Sequence, residues 1–236
     1  MDSPSTAVDS YFAHARSEIE PLLPSSATRI LEIGCSSGAT LAWLKQRWPD
    51  AEMIGVDGHA PLKSTIEQRA DRAIIHDLEQ PLPDLGAFDL ILALDVLEHL
   101  RSPEIVLRDL ASRLKAKGVC IVSVPNVAEY AVSLPLLFKR QFRYVDAGTL
   151  DRTHLRWFTE ETAIELMHSA GLSVAHGCIS GFDGQGRRVF DAATLGLFRH
   201  YLAKQYIMRG EKSAQEGAVQ WKRTCELPPW KRLRRR

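Results

Sequence analysis

Short apolar runs that alternate with segments of helical spacing constrain this chain more than any other feature. Arg29-Ile-Leu-Glu-Ile33 reads as a strand ending at Gly34, and Thr40 to Trp48 as a helix stopped by Pro49. Glu52 to Val56 reads as a second strand ending at Asp57, followed by a helix from Pro61 to Ala70. Ala73-Ile-Ile-His76 is a third strand, ending at Asp77, and Phe88-Asp-Leu-Ile-Leu-Ala-Leu94 a fourth. The fourth is almost wholly apolar, as a strand covered on both faces must be. Pro103 to Lys115 reads as an amphipathic helix with proline suited to its first turn, and Gly118 to Val124 as a fifth strand. Strands alternating with helices imply a parallel sheet with right-handed crossovers. The expected fold class is α/β: a Rossmann-like, doubly wound, mostly parallel sheet of six to seven strands with helices on both faces.

The rest of the chain is less regular. Residues 8–23 have helical spacing and suggest an N-terminal helical cap over 1–28. Asn126 to Phe138 reads as a helix, and Lys139 to Trp157 as a polar, aromatic and basic connection, together a lid over about 126–158. Thr159-Glu-Glu-Thr162 carries a capping signal and opens a helix to Ala170, closed by Gly171. A sixth strand follows over Leu172 to Ile179, which closes a main domain of 29–182. Ala192 to Met208 reads as an amphipathic helix, 210–236 as polar and mobile, and 183–236 as a helical extension with a basic tail. A seventh strand has no clear signal; residues 187–190 supply one, or the sheet stops at six.

Composition excludes some classes. The 236 residues carry a formal net charge of +1, which does not advertise nucleic-acid binding, and no RNA-binding module is visible. The charge is uneven: Trp230 leads into Lys231-Arg-Leu-Arg-Arg-Arg236, where a solubilising tail or contact with anionic lipid are both open. The four cysteines are far apart, with no metal-ligand spacing. They read as reduced thiols of an intracellular, cytoplasmic protein, and Met1 to Thr6 lacks the basic and apolar regions of a signal peptide.

Four segments carry chemistry. Leu31-Glu-Ile-Gly-Cys-Ser-Ser-Gly38 joins a strand to a helix, so Gly34, Cys35, Ser36 and Gly38 let a ligand approach the backbone at a helix N-terminus. Ser36 stands where a dinucleotide fingerprint has its middle glycine, which points away from a pyrophosphate. Glu32 just before the turn suits a cationic amine. Asp57, followed by Gly58, can accept both hydrogen bonds of a ribose diol or cap the next helix. Asp77 can accept from the exocyclic amine of adenine, or be a turn aspartate. Asp95-Val-Leu-Glu-His-Leu100 places acids and an imidazole at the carboxyl ends of the strands, where open α/β sheets bind ligands.

In this order the four segments resemble the class I S-adenosylmethionine-dependent methyltransferases, over about residues 25–182. The chain is most similar to the small-molecule branch that includes ubiquinone-biosynthesis O-methyltransferases. It also resembles methyltransferases of bacterial polysaccharide and glycolipid pathways, through Val124-Pro-Asn126 and Asp151-Arg-Thr-His-Leu-Arg-Trp-Phe-Thr159. The resemblance implies that Glu32 and the Gly34–Gly38 turn hold the methionine part of S-adenosylmethionine. By the same resemblance Asp57 binds the ribose, Asp77 and Leu78 hold the adenine, and Asp95 flanks the sulfonium. The acceptor is then a small molecule, sugar or lipid-linked molecule, methylated most readily at oxygen. His99 and His154 are the candidate bases for such a hydroxyl. Glu98-His99 alone does not define a metal site, and none is assigned. The competing functions are a catalytically silent scaffold that keeps the cofactor fold, and an NAD-dependent oxidoreductase, against which the missing middle glycine counts.

Overall fold

The computed structural model describes residues 15–181 and 185–212. Seven strands form one sheet in the order β3-β2-β1-β4-β5-β7-β6. They are β1 (Arg29–Ile33), β2 (Glu52–Asp57), β3 (Arg72–Ile75), β4 (Phe88–Leu94), β5 (Leu114–Pro125), β6 (Leu172–Ser180) and β7 (Gln205–Lys212). The first five run parallel, with Leu31 opposite Ile54 and Ile91. Strand β7 runs antiparallel to both of its neighbours, β5 and β6. Alternation along the strands divides the core. Leu31, Ile33, Ile91 and Val122 face one layer, and Ile30, Met53, Leu90 and Ile121 the other. The first layer is covered by α3 (Pro103–Ser112) and α5 (Glu160–Ser169), the second by α1 (Ala39–Arg47) and a 3-10 turn at Ser17–Leu22.

Local chemistry fixes several element ends. Pro103 opens α3, where its missing N–H costs nothing. Thr159 and Thr162 cap α5 reciprocally, each hydroxyl accepting from the other's backbone N–H. Asp89 clamps the base of the sheet: its Oδ2 accepts from Thr28 N at 3.0 Å, Arg29 N at 2.9 Å and Lys115 Nζ at 2.8 Å. Burial raises its pKa, but the Lys115, Thr28 and Arg29 hydrogen bonds outweigh that and hold it well below the usual range.

Several expectations are corrected. The helix expected over Ala192 to Met208 is two helices, α6 (Gln185–Ala193) and α7 (Arg199–Leu202), followed by strand β7. Leu195 and Gly196 take left-handed φ values of 52° and 77°, which no α-helix tolerates in its interior, so the helical spacing is interrupted there. The seventh strand lies at 205–212, not at 187–190, and residues 210–212, expected to be mobile, belong to it. The helix expected over 61–70 is a 3-10 turn, Ala60–Leu62, and a short α2 (Lys63–Glu67). The lid helix is α4 (Tyr130–Lys139), beginning four residues later than expected, because Asn126 bridges to Phe158 and its side chain ties off the carbonyls of His200 and Ala203. The described part of the expected N-terminal helix is the 3-10 turn, which contains Pro21. Residues 1–14 and the basic tail Lys231–Arg236 lie outside the described residues. Cys35, Cys120 and Cys178 are buried. No helix among the described residues is long and apolar enough to cross a membrane.

Candidate active site

Three strand ends, those of β1, β2 and β4, bring most of the expected residues to one edge. After β1 the chain turns at Gly34 (φ 60°), Ser36 (φ 50°) and Gly38 (φ 74°), and Gly38 N closes the turn on Cys35 O at 2.8 Å. A Cβ at Gly34 would meet Val96 Cγ2 at 2.2 Å, so the glycine is required both by its backbone angle and by the β4 turn beside it. Ser36 N donates to Asp57 Oδ2 at 2.7 Å, and His59 N to Asp57 Oδ1 at 2.8 Å. A carboxylate has about four acceptor positions, so Asp57 keeps two for a diol. Gly58 beside it is exposed, and a Cβ there would touch only the His76 carbonyl oxygen, at 3.8 Å. The Cys35 thiol packs into the core, so only its backbone faces the turn.

Glu32 is 4% exposed, and its Oε2 has no partner. Burial pushes its pKa from 4.5 up to about 8, with Thr40 and Arg16 opposing. The Ser36 hydroxyl is also buried and unpartnered. A buried acid and a buried hydroxyl left open beside a glycine turn and a diol acceptor are what the amino-acid and ribose ends of S-adenosylmethionine need. The residues fit that cofactor. After β3, Asp77 is exposed and its Oδ1 accepts from Glu79 N at 3.0 Å, while Leu78 leans on the core.

Asp95 sits at φ 56° after β4. No motif in the sequence marks how fully its carboxylate is used. Oδ1 accepts from Ser123 Oγ at 2.7 Å and Gln205 Nε2 at 2.9 Å, and Oδ2 pairs with the Arg16 guanidinium. The side chain thus ties β4 to β5, β7 and the N-terminal segment. Arg16 escaped sequence reading because no motif surrounds it. It acts electrostatically on Glu32 as well as Asp95, and also pairs with Glu18.

His99 and His154 come together although 55 positions separate them. Leu155 N and Arg156 N both donate to Glu98 O, at 2.8 and 3.0 Å, which pins the lid to the turn after β4. The two imidazoles then meet edge to face with centroids 4.7 Å apart. His154 Nδ1 donates to Thr149 O at 3.0 Å, which leaves Nε2 with its lone pair. His99 Nδ1 faces the Thr153 carbonyl and hydroxyl at 3.3 and 3.1 Å. Burial, then the neighbouring His154, depresses the His99 pKa. The Glu98 side chain is buried, its Oε2 is unpartnered, and burial and then Asp95 raise its pKa. Glu98, His99 and His154 offer one donor atom each within 4.8 Å of one another, a set able to take a cation. A cavity of about 340 Å³ lies between α4 and the lid segment that follows it, lined by Val132, Pro135, Gln141, Arg143 and Thr149 among others, Thr149 being the residue whose carbonyl holds His154.

Comparison with known proteins bears on the family and the fold. A family described as a methyltransferase domain matches residues 8–176. A ubiquinone biosynthesis O-methyltransferase of Azorhizobium caulinodans is 34% identical over 176 residues, covering 70% of this chain and 65% of that protein. A trans-aconitate 2-methyltransferase of Azoarcus is 30% identical over 106 residues, covering 42% of this chain and 40% of that protein. The chain thus spans less than two thirds of the length of these relatives. Among solved structures, a SAM-dependent methyltransferase from Archaeoglobus fulgidus superposes with a TM-score of 0.60 at 18% identity, over 89% of this chain and 100% of that one. An O-methyltransferase of a Brevibacillus brevis trans-AT PKS multienzyme, in complex with S-adenosyl-L-homocysteine, gives 0.54 at 13% identity over 80% and 68%. These structural likenesses show the shared fold. Family match, strand order and the acids at the strand ends together make the chain a member of the class I S-adenosylmethionine-dependent methyltransferases.

Proposed function

We propose that the chain transfers a methyl group from S-adenosylmethionine to a hydroxyl of a small acceptor that reaches His154 from the cavity under the lid. The cofactor supplies a methyl already made electrophilic by its sulfonium. The protein's own work is to orient both partners and to remove one proton. Glu32 and Arg16 suit the ammonium and carboxylate of the amino-acid end, Asp57 the ribose diol, and Asp77 with Leu78 the adenine. The observation that carries the oxygen reading is the imidazole pair. His154 has its Nδ1 committed to the Thr149 carbonyl and its Nε2 free to accept a hydroxyl proton, and His99 stands 4.7 Å away. The O-methyltransferase named among the relatives supports the same atom.

A second reading is favoured by the unpartnered Glu98 Oε2. A divalent cation held by Glu98, His99 and His154 would lower the pKa of the acceptor hydroxyl in place of a free base. The test begins with calorimetric titration of S-adenosylmethionine, S-adenosylhomocysteine and NAD. Turnover of a panel of catechols, hydroxy acids and sugars is then followed as S-adenosylhomocysteine release, with and without chelator. Cofactor binding with hydroxyl turnover insensitive to chelator supports the base, and turnover lost to chelator and restored by magnesium supports the cation. Binding without turnover of any acceptor class points to a silent scaffold, and binding of NAD alone sinks the methyltransferase reading.

A further inference from the structure

Helix α4 turns most of its apolar side chains outward. Val132 is its one buried side chain, whereas Leu134, Leu136, Leu137 and Phe138 are exposed, the last two by 71% and 75%. Leu134, Leu137 and Phe138 recur at i, i+3 and i+4, a stripe on the side of the helix opposite Val132. The chain continues into the lid with Phe142, Tyr144 and Val145, also exposed. Scattered surface leucines need no explanation, but a contiguous apolar run of this kind marks a surface made to be covered.

The charges in the run indicate what covers it. From Tyr130 to Val145 there is no aspartate or glutamate, and the three charged residues are Lys139, Arg140 and Arg143. None of the three forms an ion pair with a described residue. The flanking acids are already engaged, Glu129 with Arg187 and Asp146 with Arg152. A second copy docked across a two-fold axis would set these cations against their own equivalents. An apolar stripe edged by lysine and arginine is instead the composition of a helix that lies in the interface of an anionic bilayer.

We propose that α4 and the adjoining lid residues dock on an anionic lipid surface. Leu134, Leu137, Phe138 and Phe142 enter the acyl boundary, and Lys139 and Arg140 meet the headgroup phosphates. The cavity below is walled by the same two segments, through Pro135 on α4 and Gln141, Arg143 and Val145 on the lid. Docking therefore sets that cavity at the bilayer surface, within reach of an amphiphilic acceptor. The docking is read without turnover, so it stands or falls separately from the acceptor.

The experiment is co-sedimentation of the full chain with phosphatidylcholine vesicles, and with the same vesicles carrying about one third phosphatidylglycerol. The chain is compared with a Leu137→Ser, Phe138→Ser variant and a Lys139→Gln, Arg140→Gln variant, all checked for unchanged melting. The wild type is expected to pellet with the anionic vesicles and much less with the neutral ones, and each variant to partition about 10–30-fold more weakly. Wild type that stays in the supernatant overturns the proposal. So do variants that bind like wild type, because the basic tail or another surface is then responsible. A dimer that Leu137→Ser, Phe138→Ser dissolves, without vesicle binding, assigns the face to a second copy.

Discussion

Replacing Glu32 by glutamine should do two opposite things: strip the ligand-free chain of a pH-dependent instability, and weaken its hold on S-adenosylmethionine. The Glu32 carboxyl is buried at the end of β1 with Oε2 unpartnered, and burial moves its pKa from 4.5 up to about 8. Because the pKa is higher in the fold than in the unfolded chain, the folded state holds more protons between those values. Stability contributed by the neutral acid is complete below about pH 4.5 and is lost as pH rises toward 8. Over the whole window the loss is on the order of 5 kcal/mol. Glutamine has no proton to lose, so the variant's unfolding free energy should stay flat where that of the wild type declines. The cofactor's ammonium gives the ionised acid its missing partner, so binding near neutral pH should release protons. A hydrogen bond to a charged group contributes about 1.5–3 kcal/mol, or roughly 10–150-fold in Kd. Denaturant unfolding across the pH window measures the first effect. Calorimetric titration in two buffers of different ionisation heat measures the second. Parallel pH profiles for variant and wild type, or an unchanged Kd with no proton release, would refute the reasoning.

Asp57→Ala should weaken S-adenosylmethionine by about 1.5–3 kcal/mol, since it removes the diol acceptor and the anchor of Ser36 N; equal affinity in a folded variant rejects the ribose role. His154→Ala should lower kcat by about 10²–10⁴-fold with folding intact, and His99→Ala separates base from packing; if both variants turn over normally, neither imidazole is the base. Asp89→Asn should cost about 1.5–3 kcal/mol of unfolding free energy near neutral pH. The pKa of Asp89 is held down in the fold, so its contribution is present above about pH 4 and disappears on acidification; a variant as stable as wild type would show that the clamp on Thr28, Arg29 and Lys115 does nothing. Gly34→Ala should destabilise the fold by about 1–3 kcal/mol, because the new methyl meets Val96 in a left-handed turn; an unshifted melting temperature would contradict it.

The sequence alone determined the parallel half of the sheet and the acids at its edge. Strands β1 to β5 are short, apolar and separated by turn or helix signals, so their type follows from local pattern. Glu32 and Asp57, in the last two positions of β1 and β2, and Asp95, just after β4, were legible because the last residues of an apolar strand in such a sheet must stand at its carboxyl end. Strand β7 was not legible. Tyr206, Ile207 and Met208 are buried consecutively, and so short an apolar run fits a helix or a strand equally well until pairing with β5 and β6 decides it. The left-handed break at Leu195 and Gly196 belongs to the folded backbone and leaves no periodic trace.

The candidate catalytic half depends on contacts between distant positions, which no spacing encodes. Two backbone amides, Leu155 N and Arg156 N, seated on the Glu98 carbonyl carry His154 to His99. Arg16, Ser123 and Gln205 converge on Asp95 from three parts of the chain. Local pattern fixes which residues form each element, because hydrophobic burial repeats with the geometry of helix and strand. Which side chains finally meet is set by how the elements pack and by which buried polar groups must then find partners, and that only the tertiary structure decided.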